Sequence, residues 1–179
     1  MKKAIFLDRD GTINEDYGYV YKISDLKYID GVIESLRQMN ELGYILIVIS
    51  NQSGIGRGYY TSNDAEKLFD YMVKYLKTKG VDITKYYYCP HVDSDLCECR
   101  KPKLKLFYDA INEFNIDLSK SFAIGDKERD LSICQVTPVK GILISGKDND
   151  TSYYVCKKNM RDALKYIKYV NSGGLNEKK

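Results

Sequence analysis

Two carboxylates two residues apart, Asp8 and Asp10, follow the apolar run Ile5–Phe6–Leu7 and precede Gly11–Thr12. Such a run fits a buried strand, in which residues i and i+2 point to the same side. It therefore delivers both carboxylates together to the strand end, or to the loop just past it. Two like charges this close are unfavourable unless a cation neutralises them or one holds a proton. Hard divalent cations such as Mg2+ take a few carboxylates and complete their shell with water and substrate phosphate. The plain alternative is a solvated turn, since Asp and Gly are ordinary turn residues. The other polar segments of the chain weigh against it.

Those segments sit between elements that alternate in type. Residues 8–27, polar and rich in Tyr and Gly, read as a loop. Asp30–Gly31 opens a helix whose apolar positions Val32, Ile33, Leu36, Met39 and Leu42 recur at three and four residues, closed by Gly43. Tyr44 to Ile49 is a continuous apolar run, rich in β-branched residues, that fits a strand buried on both faces, and it ends in the polar Ser50–Gly54. Thr61 and Asp64 fit a capping box for a helix carrying Ala65, Leu68, Phe69, Met72, Val73 and Leu76. Tyr86–Tyr88 reads as a third strand entering a Cys-rich segment, Cys89 to Arg100. A helix with Leu106, Phe107, Ala110, Ile111 and Phe114 follows, then strands at 121–124 and 139–144 and a last amphipathic segment with Met160, Leu164 and Ile167. Residues 1–170 thus read as one domain, and 171–179 as a polar, disordered tail.

Alternation of strands and helices implies an α/β fold with a mostly parallel sheet. In such sheets ligands bind beyond the carboxyl ends of the strands. Asp8/Asp10, Ser50 and Asp126 all fall at such ends. A carboxylate there can attack phosphorus to form an aspartyl-phosphate that water then hydrolyses. Asp8, Asp10 and Asp126 could supply a Mg2+ site, Ser50 and nearby amides could donate to phosphoryl oxygens, and Lys101 could stabilise charge on the transferring group. Asp10 could protonate the leaving oxygen and then activate water. No Ser-His-Asp arrangement is available, because the only histidine, His91, lies among the cysteines.

Asp8-Arg9-Asp10-Gly11-Thr12, Ser50-Asn51-Gln52-Ser53-Gly54, Arg100-Lys101-Pro102 and Gly125-Asp126-Lys127 resemble, in order and spacing, the four motifs of haloacid-dehalogenase-like phosphatases. More narrowly, Asp16-Tyr17-Gly18-Tyr19-Val20, Asn51 to Ile55, and Cys89-Pro90-His91 through Cys97-Glu98-Cys99-Arg100-Lys101-Pro102 resemble the D-glycero-D-manno-heptose 1,7-bisphosphate 7-phosphatases. The resemblance implies a Rossmann-like three-layer sandwich with the Asp-bearing strand central and no large cap domain. It implies removal of the 7-phosphate in nucleotide-activated heptose biosynthesis. Asp8 would be the nucleophile and Asp10 the general acid/base, with Mg2+ on Asp8, the Asp10 backbone carbonyl and Asp126. Ser50, Arg100 and Lys101 would hold the phosphoryl group and sugar. Asp16, Tyr17, Gly18, Tyr19, Asn51, Gln52, Ser53 and Lys127 would complete the substrate pocket. For Arg9 and Thr12, turn geometry competes with direct contact. The chain departs from the family pattern at Lys103–Leu106, where a Pro-Gly step is usual, and at Leu131–Val136, where small residues are usual.

Cys89, His91, Cys97 and Cys99 offer three thiolates and one imidazole within eleven residues, a set that matches a closed tetrahedral zinc site. Four protein ligands leave no open position, so the reading is a structural Zn2+ that pins loop 89–100 and delivers Arg100 and Lys101 to the site. Cys134 and Cys156 stand apart and read as buried or incidental thiols. Five cysteines, an odd and clustered number, argue against a disulfide framework.

Composition narrows the partners. A net charge of +3 with scattered lysines carries no basic stripe for nucleic acid. The 17 tyrosines fall at strand and helix spacings that favour packing over base stacking. No stretch approaches the roughly 20 apolar residues that span a bilayer, and Met1-Lys2-Lys3 leads straight into a strand. The expectation is a cytoplasmic monomer acting on a small sugar phosphate. Two rivals stand beside it: a histidinol-phosphate phosphatase, whose relatives share the aspartates and a similar zinc loop, and a non-catalytic zinc-stabilised binding module.

Overall fold

A computed structural model describes residues 1–174. Its strands are β1 (Ala4–Leu7), β2 (Ile45–Asn51), β3 (Ile83–Cys89), β4 (Phe122–Gly125), β5 (Lys140–Ile144) and β6 (Tyr154–Lys157). Its helices are α1 (Val32–Glu41), α2 (Ser53–Gly56), α3 (Ser62–Thr78), α4 (Lys105–Phe114) and α5 (Met160–Asn171), with a 3-10 helix at Glu128–Gln135. The six strands form one sheet in the order β3-β2-β1-β4-β5-β6, every pair parallel.

Alternation along β1 divides the core between the two faces of the sheet. Ile5 and Leu7 join α1, α3 and α5 through Leu36, Met39, Phe69, Met72 and Ile167. Ala4 and Phe6 face the other way, onto Phe107 and Ala110 of α4 and onto Leu131 and Ile133 of the 3-10 helix. The result is three layers, as the alternation of elements implies. Leu131 and Ile133, in the segment that departs from the family pattern, are wholly buried there. At Lys103–Leu106, the other departure, α4 begins at Lys105 without a side-chain cap.

Strand order reverses at β1. The chain runs outward from β1 to β2 and β3, then returns to add β4 on the other side. This switch point opens a crevice beyond the carboxyl ends of β1 and β4, the place where open α/β sheets take ligands.

Three local features differ from the sequence reading. The sixth strand, β6, is absent from that reading; its four residues are too few to show a period. Ser53–Gly56 forms a helical turn in place of the expected loop. The last helix runs through Asn171, whose side chain accepts a bond from the Tyr44 hydroxyl at 2.8 Å, and a turn follows to Gly174. The expected tail therefore starts later than residue 171, and its part from 175 to 179 lies outside the described residues.

Candidate active site

Asp8 leaves the end of β1 with its backbone N–H still bonded to the Ile124 carbonyl, so the β1–β4 ladder fixes its position. Its carboxylate accepts from Lys101 Nζ at 2.7 Å. The same ammonium donates to the Ile49 carbonyl at 2.6 Å and pairs with Asp130 at 2.8 Å. An ammonium has three N–H groups, and each has an acceptor here. Burial pushes the Asp8 carboxyl up to about 7, with Asp130 and Asp10 adding to the shift and Lys101 opposing it. Burial alone would discharge Lys101, but Asp8 and Asp130 outweigh it and hold the ammonium charged.

Asp126 follows β4 and faces Asp8 across the crevice. Burial raises its carboxyl, Lys127 opposes that, and its Oδ1 is buried with no hydrogen-bond partner. Gly11 makes room for it: a Cβ there would lie 2.5 Å from Asp126 Oδ2, and the φ of +85° disfavours any side chain. Asp8, Asp126 and Asp130 each bring a carboxylate oxygen to within 4.8 Å of the others. This all-oxygen set, with one orphaned oxygen, fits a hard divalent cation.

Asp130 is the residue that sequence reasoning missed. It lies in the 3-10 helix, where its side chain accepts from the Lys127 N–H at 3.0 Å while pairing with Lys101. The signal was present: a carboxylate three residues after Lys127 has capping-box spacing, and it closely follows the Gly125-Asp126-Lys127 motif.

Asp10 takes a different environment. Oδ1 accepts from Arg9 Nε at 3.0 Å and Asn14 Nδ2 at 3.0 Å, and Oδ2 accepts from Arg9 Nη2 at 2.8 Å and Gln52 Nε2 at 2.9 Å. Its carboxylate is therefore outside the three-carboxylate group. Arg9 is wholly buried, packs over the Phe69 ring at 4.9 Å, and serves as the clamp on Asp10 as well as part of the turn.

A cavity of about 360 Å3 opens above these groups. Asp8, Asp10 and Asp130 lie in its lining, as do Asp16, Gly18, Tyr19, Asn51, Gln52, Ser53, Arg100 and Lys127 from the sequence reading. Ser50 and Lys101 are buried and absent from that lining, so they act on the floor from beneath. Asn51 also clamps the Lys101 backbone through its side-chain amide, which accepts from the N–H at 3.0 Å and donates to the carbonyl at 3.1 Å. Lys127 lies 3.5 Å from both Asp16 and Asp126. Tyr17 is exposed, packs against Lys27 and lies outside this lining, next to Gly18 and Tyr19. Arg57 lines the cavity as well, with Tyr60 and Arg129, two residues that carry no sequence signal marking them as pocket residues.

The cysteine loop begins at the end of β3 and returns beside β2. Sulfur separations among Cys89, Cys97 and Cys99 are 3.1–3.6 Å, and His91 Nδ1 is 3.2 Å from Cys99 and 3.5 Å from Cys89. A tetrahedron with Zn–S bonds of about 2.3 Å has edges of about 3.7 Å, so the four donors fit that ion. Arg100 leaves the loop paired with Asp93 and reaches the cavity wall. Cys134 and Cys156 are buried, free thiols away from the cluster.

The chain is similar to known proteins in sequence and in fold. The family described as Polynucleotide kinase 3 phosphatase matches residues 3–163. The D-glycero-beta-D-manno-heptose-1,7-bisphosphate 7-phosphatase of Pasteurella multocida is 44% identical over 150 residues, covering 80% of this chain and 82% of its own. The D-glycero-alpha-D-manno-heptose-1,7-bisphosphate 7-phosphatase of Campylobacter jejuni is 40% identical over 167 residues, covering 93% and 96%. A crystal structure of the D,D-heptose 1,7-bisphosphate phosphatase from B. bronchiseptica, complexed with magnesium and phosphate, superposes with a TM-score of 0.83 at 23% identity, covering 94% of this chain and 99% of that one. With the fold and nearly the whole chain length in common, the chain belongs to the heptose-1,7-bisphosphate 7-phosphatase family of haloacid-dehalogenase-like phosphatases.

Proposed function

We propose that the chain is a Mg2+-dependent phosphatase that removes the 7-phosphate of D-glycero-D-manno-heptose 1,7-bisphosphate through an aspartyl-phosphate on Asp8. One observation carries the reading: a single cavity with a carboxylate floor and a rim bearing Arg57, Arg100, Lys127 and Arg129. The floor suits a phosphoryl group accompanied by a cation, and the rim suits a second phosphate on the same small sugar.

Asp8 attacks phosphorus, and the bond from phosphorus to the sugar oxygen breaks. Asp10 passes its proton to that departing oxygen. Water then attacks the phosphorus, returns a proton to Asp10 and frees the Asp8 carboxylate. Asp8, Asp126 and the Asp10 carbonyl would hold Mg2+, with Asp130 alongside. When bound, the cation offsets the repulsion between phosphate and carboxylates and polarises the phosphoryl group. Ser50 and Lys101 hold the phosphoryl oxygens and the nucleophile from beneath, while Arg100 meets them from the wall. Asp16, Gly18, Tyr19, Asn51, Gln52 and Ser53 shape the sugar pocket. Zn2+ on Cys89, His91, Cys97 and Cys99 fixes the loop that carries Arg100 and Lys101. The chain works as one domain that includes all of α5, Met160–Asn171, and as a monomer in the cytoplasm. Among the described residues no helix is long and apolar enough to cross a membrane.

The test is phosphate release with Mg2+ from the two heptose 1,7-bisphosphate anomers, beside histidinol phosphate. We expect kcat/KM on one heptose anomer to exceed that on histidinol phosphate at least about tenfold. Preference for histidinol phosphate would overturn the substrate; binding without turnover would overturn the enzyme.

A further inference from the structure

We propose that Tyr60 and Gln52 are positioning residues of this reaction, holding the Asp10 carboxylate for proton transfer; the inference rests on the phosphatase reading above. Gln52 is 3% exposed, and its side-chain amide sits between two groups of the site. Nε2 donates to Asp10 Oδ2 at 2.9 Å and to Ser50 Oγ at 2.8 Å. Oε1 accepts from the Tyr60 hydroxyl at 2.6 Å and from Arg9 Nη2 at 3.4 Å.

An amide has two unlike ends, so its neighbours decide which way it points. Tyr60 and Arg9 both donate to Oε1: Arg9, which can only donate, and the Asp10 carboxylate at Nε2 set the direction of the amide, and the Tyr60 hydroxyl anchors it there. A flipped amide would set a carbonyl oxygen against the Asp10 carboxylate and an N–H against Arg9. Of the two donors Tyr60 is much the closer, and it is firmly seated. Its ring stacks on Tyr21 with centroids 4.8 Å apart and planes 9° from parallel. Gly54 makes that seat possible, since a Cβ there would lie 2.1 Å from the Tyr60 ring. Arg9 and Asn14 also grip Asp10, and Gln52 is the contact to Asp10 that Tyr60 reaches.

The chemistry supplies a readout that a merely structural role would not move. A departing sugar oxygen needs the Asp10 proton as its bond to phosphorus breaks, whereas p-nitrophenolate leaves well without one. Tyr60→Phe keeps the ring and its stacking and removes only the hydroxyl. We expect it to lower kcat/KM about tenfold on the heptose ester and less than about twofold on p-nitrophenyl phosphate, with KM for each within about twofold. Gln52→Met should lose at least as much on the heptose ester, and Tyr60→Phe should add nothing on that ester in that background, as expected for coupled residues. Equal losses from Tyr60→Phe on both esters, no loss, or full additivity would overturn the inference. Wild-type controls separate the two claims. Enzyme active on p-nitrophenyl phosphate and glycerol phosphate but not on the heptose ester overturns the substrate alone, and the ratio is then read on glycerol phosphate. Inactivity on all three overturns both.

Discussion

Lys101 Nζ lies 2.8 Å from Asp130 Oδ1, an ion pair whose side chains are 1% and 3% exposed. The same ammonium bonds Asp8, so two carboxylates share one cation in the sheet crevice. Removing one partner of a buried pair leaves the other charged and unsolvated. Lys101→Met should therefore cost about 3–5 kcal/mol of stability in urea unfolding, in addition to abolishing turnover. Asp130→Asn keeps the shape and leaves Lys101 its bond to Asp8. It should cost less, about 1–3 kcal/mol, while still lowering kcat.

The pH dependence of the Mg2+-free protein should expose Asp8. Its folded value of about 7 stands above the ordinary 3.8, so the folded state holds its proton longer than the unfolded chain does. Stability from this group is complete below about pH 4 and is lost as pH rises toward 7. Between pH 5 and pH 8 the wild-type Tm should fall relative to that of Asp8→Asn by about 4 °C or more, the shift of 1–2 kcal/mol in a chain of this size. Saturating Mg2+ should shrink the gap, because a cation on the ionised carboxylate stabilises it. A gap that does not change with pH would refute the assignment.

Zinc should be structural and should act on the catalytic groups through the chain. Metal analysis should find one zinc per protein. Cys97→Ser should reduce zinc retention and lower Tm, and activity should not return with excess Mg2+, because Arg100 and Lys101 directly follow Cys99. A fully active, zinc-free protein would exclude this role.

The rim arginines should matter only for a substrate with two phosphates. Arg57→Ala or Arg129→Ala should raise KM for the bisphosphate about tenfold, equivalent to about 1.4 kcal/mol. KM for a monophosphate of the same sugar should change less than about twofold. Steady-state kinetics on both esters decides it.

Much of this fold is legible in the sequence because its signals are local and periodic. The helix around Leu36 and Met39, the capping box of Thr61 and Asp64, and the apolar run of β2 each announce themselves within a few residues. Asp8, Lys101 and Asp126 are legible as site candidates because each belongs to a short motif at a strand or loop end. Arg9 is harder: its burial depends on Phe69 and Gln52, which arrive from distant segments. Tyr60 carries no motif of its own and Asp130 only its spacing of three from Lys127, and the tertiary fold turns both toward the cavity.

The β1–β4 pairing, with Ile5 in register with Phe122, joins residues more than a hundred positions apart. Contacts of such span form late and slow folding, since a long loop must close before they return any stabilisation. Asp8 is synthesised among the first residues, yet Lys101, Asp126 and Asp130 reach it only when that loop has closed. Recovery of activity during refolding should therefore trail recovery of helical signal. Asp8 stays without its charged neighbours on the nascent chain until the second half of the sheet has docked.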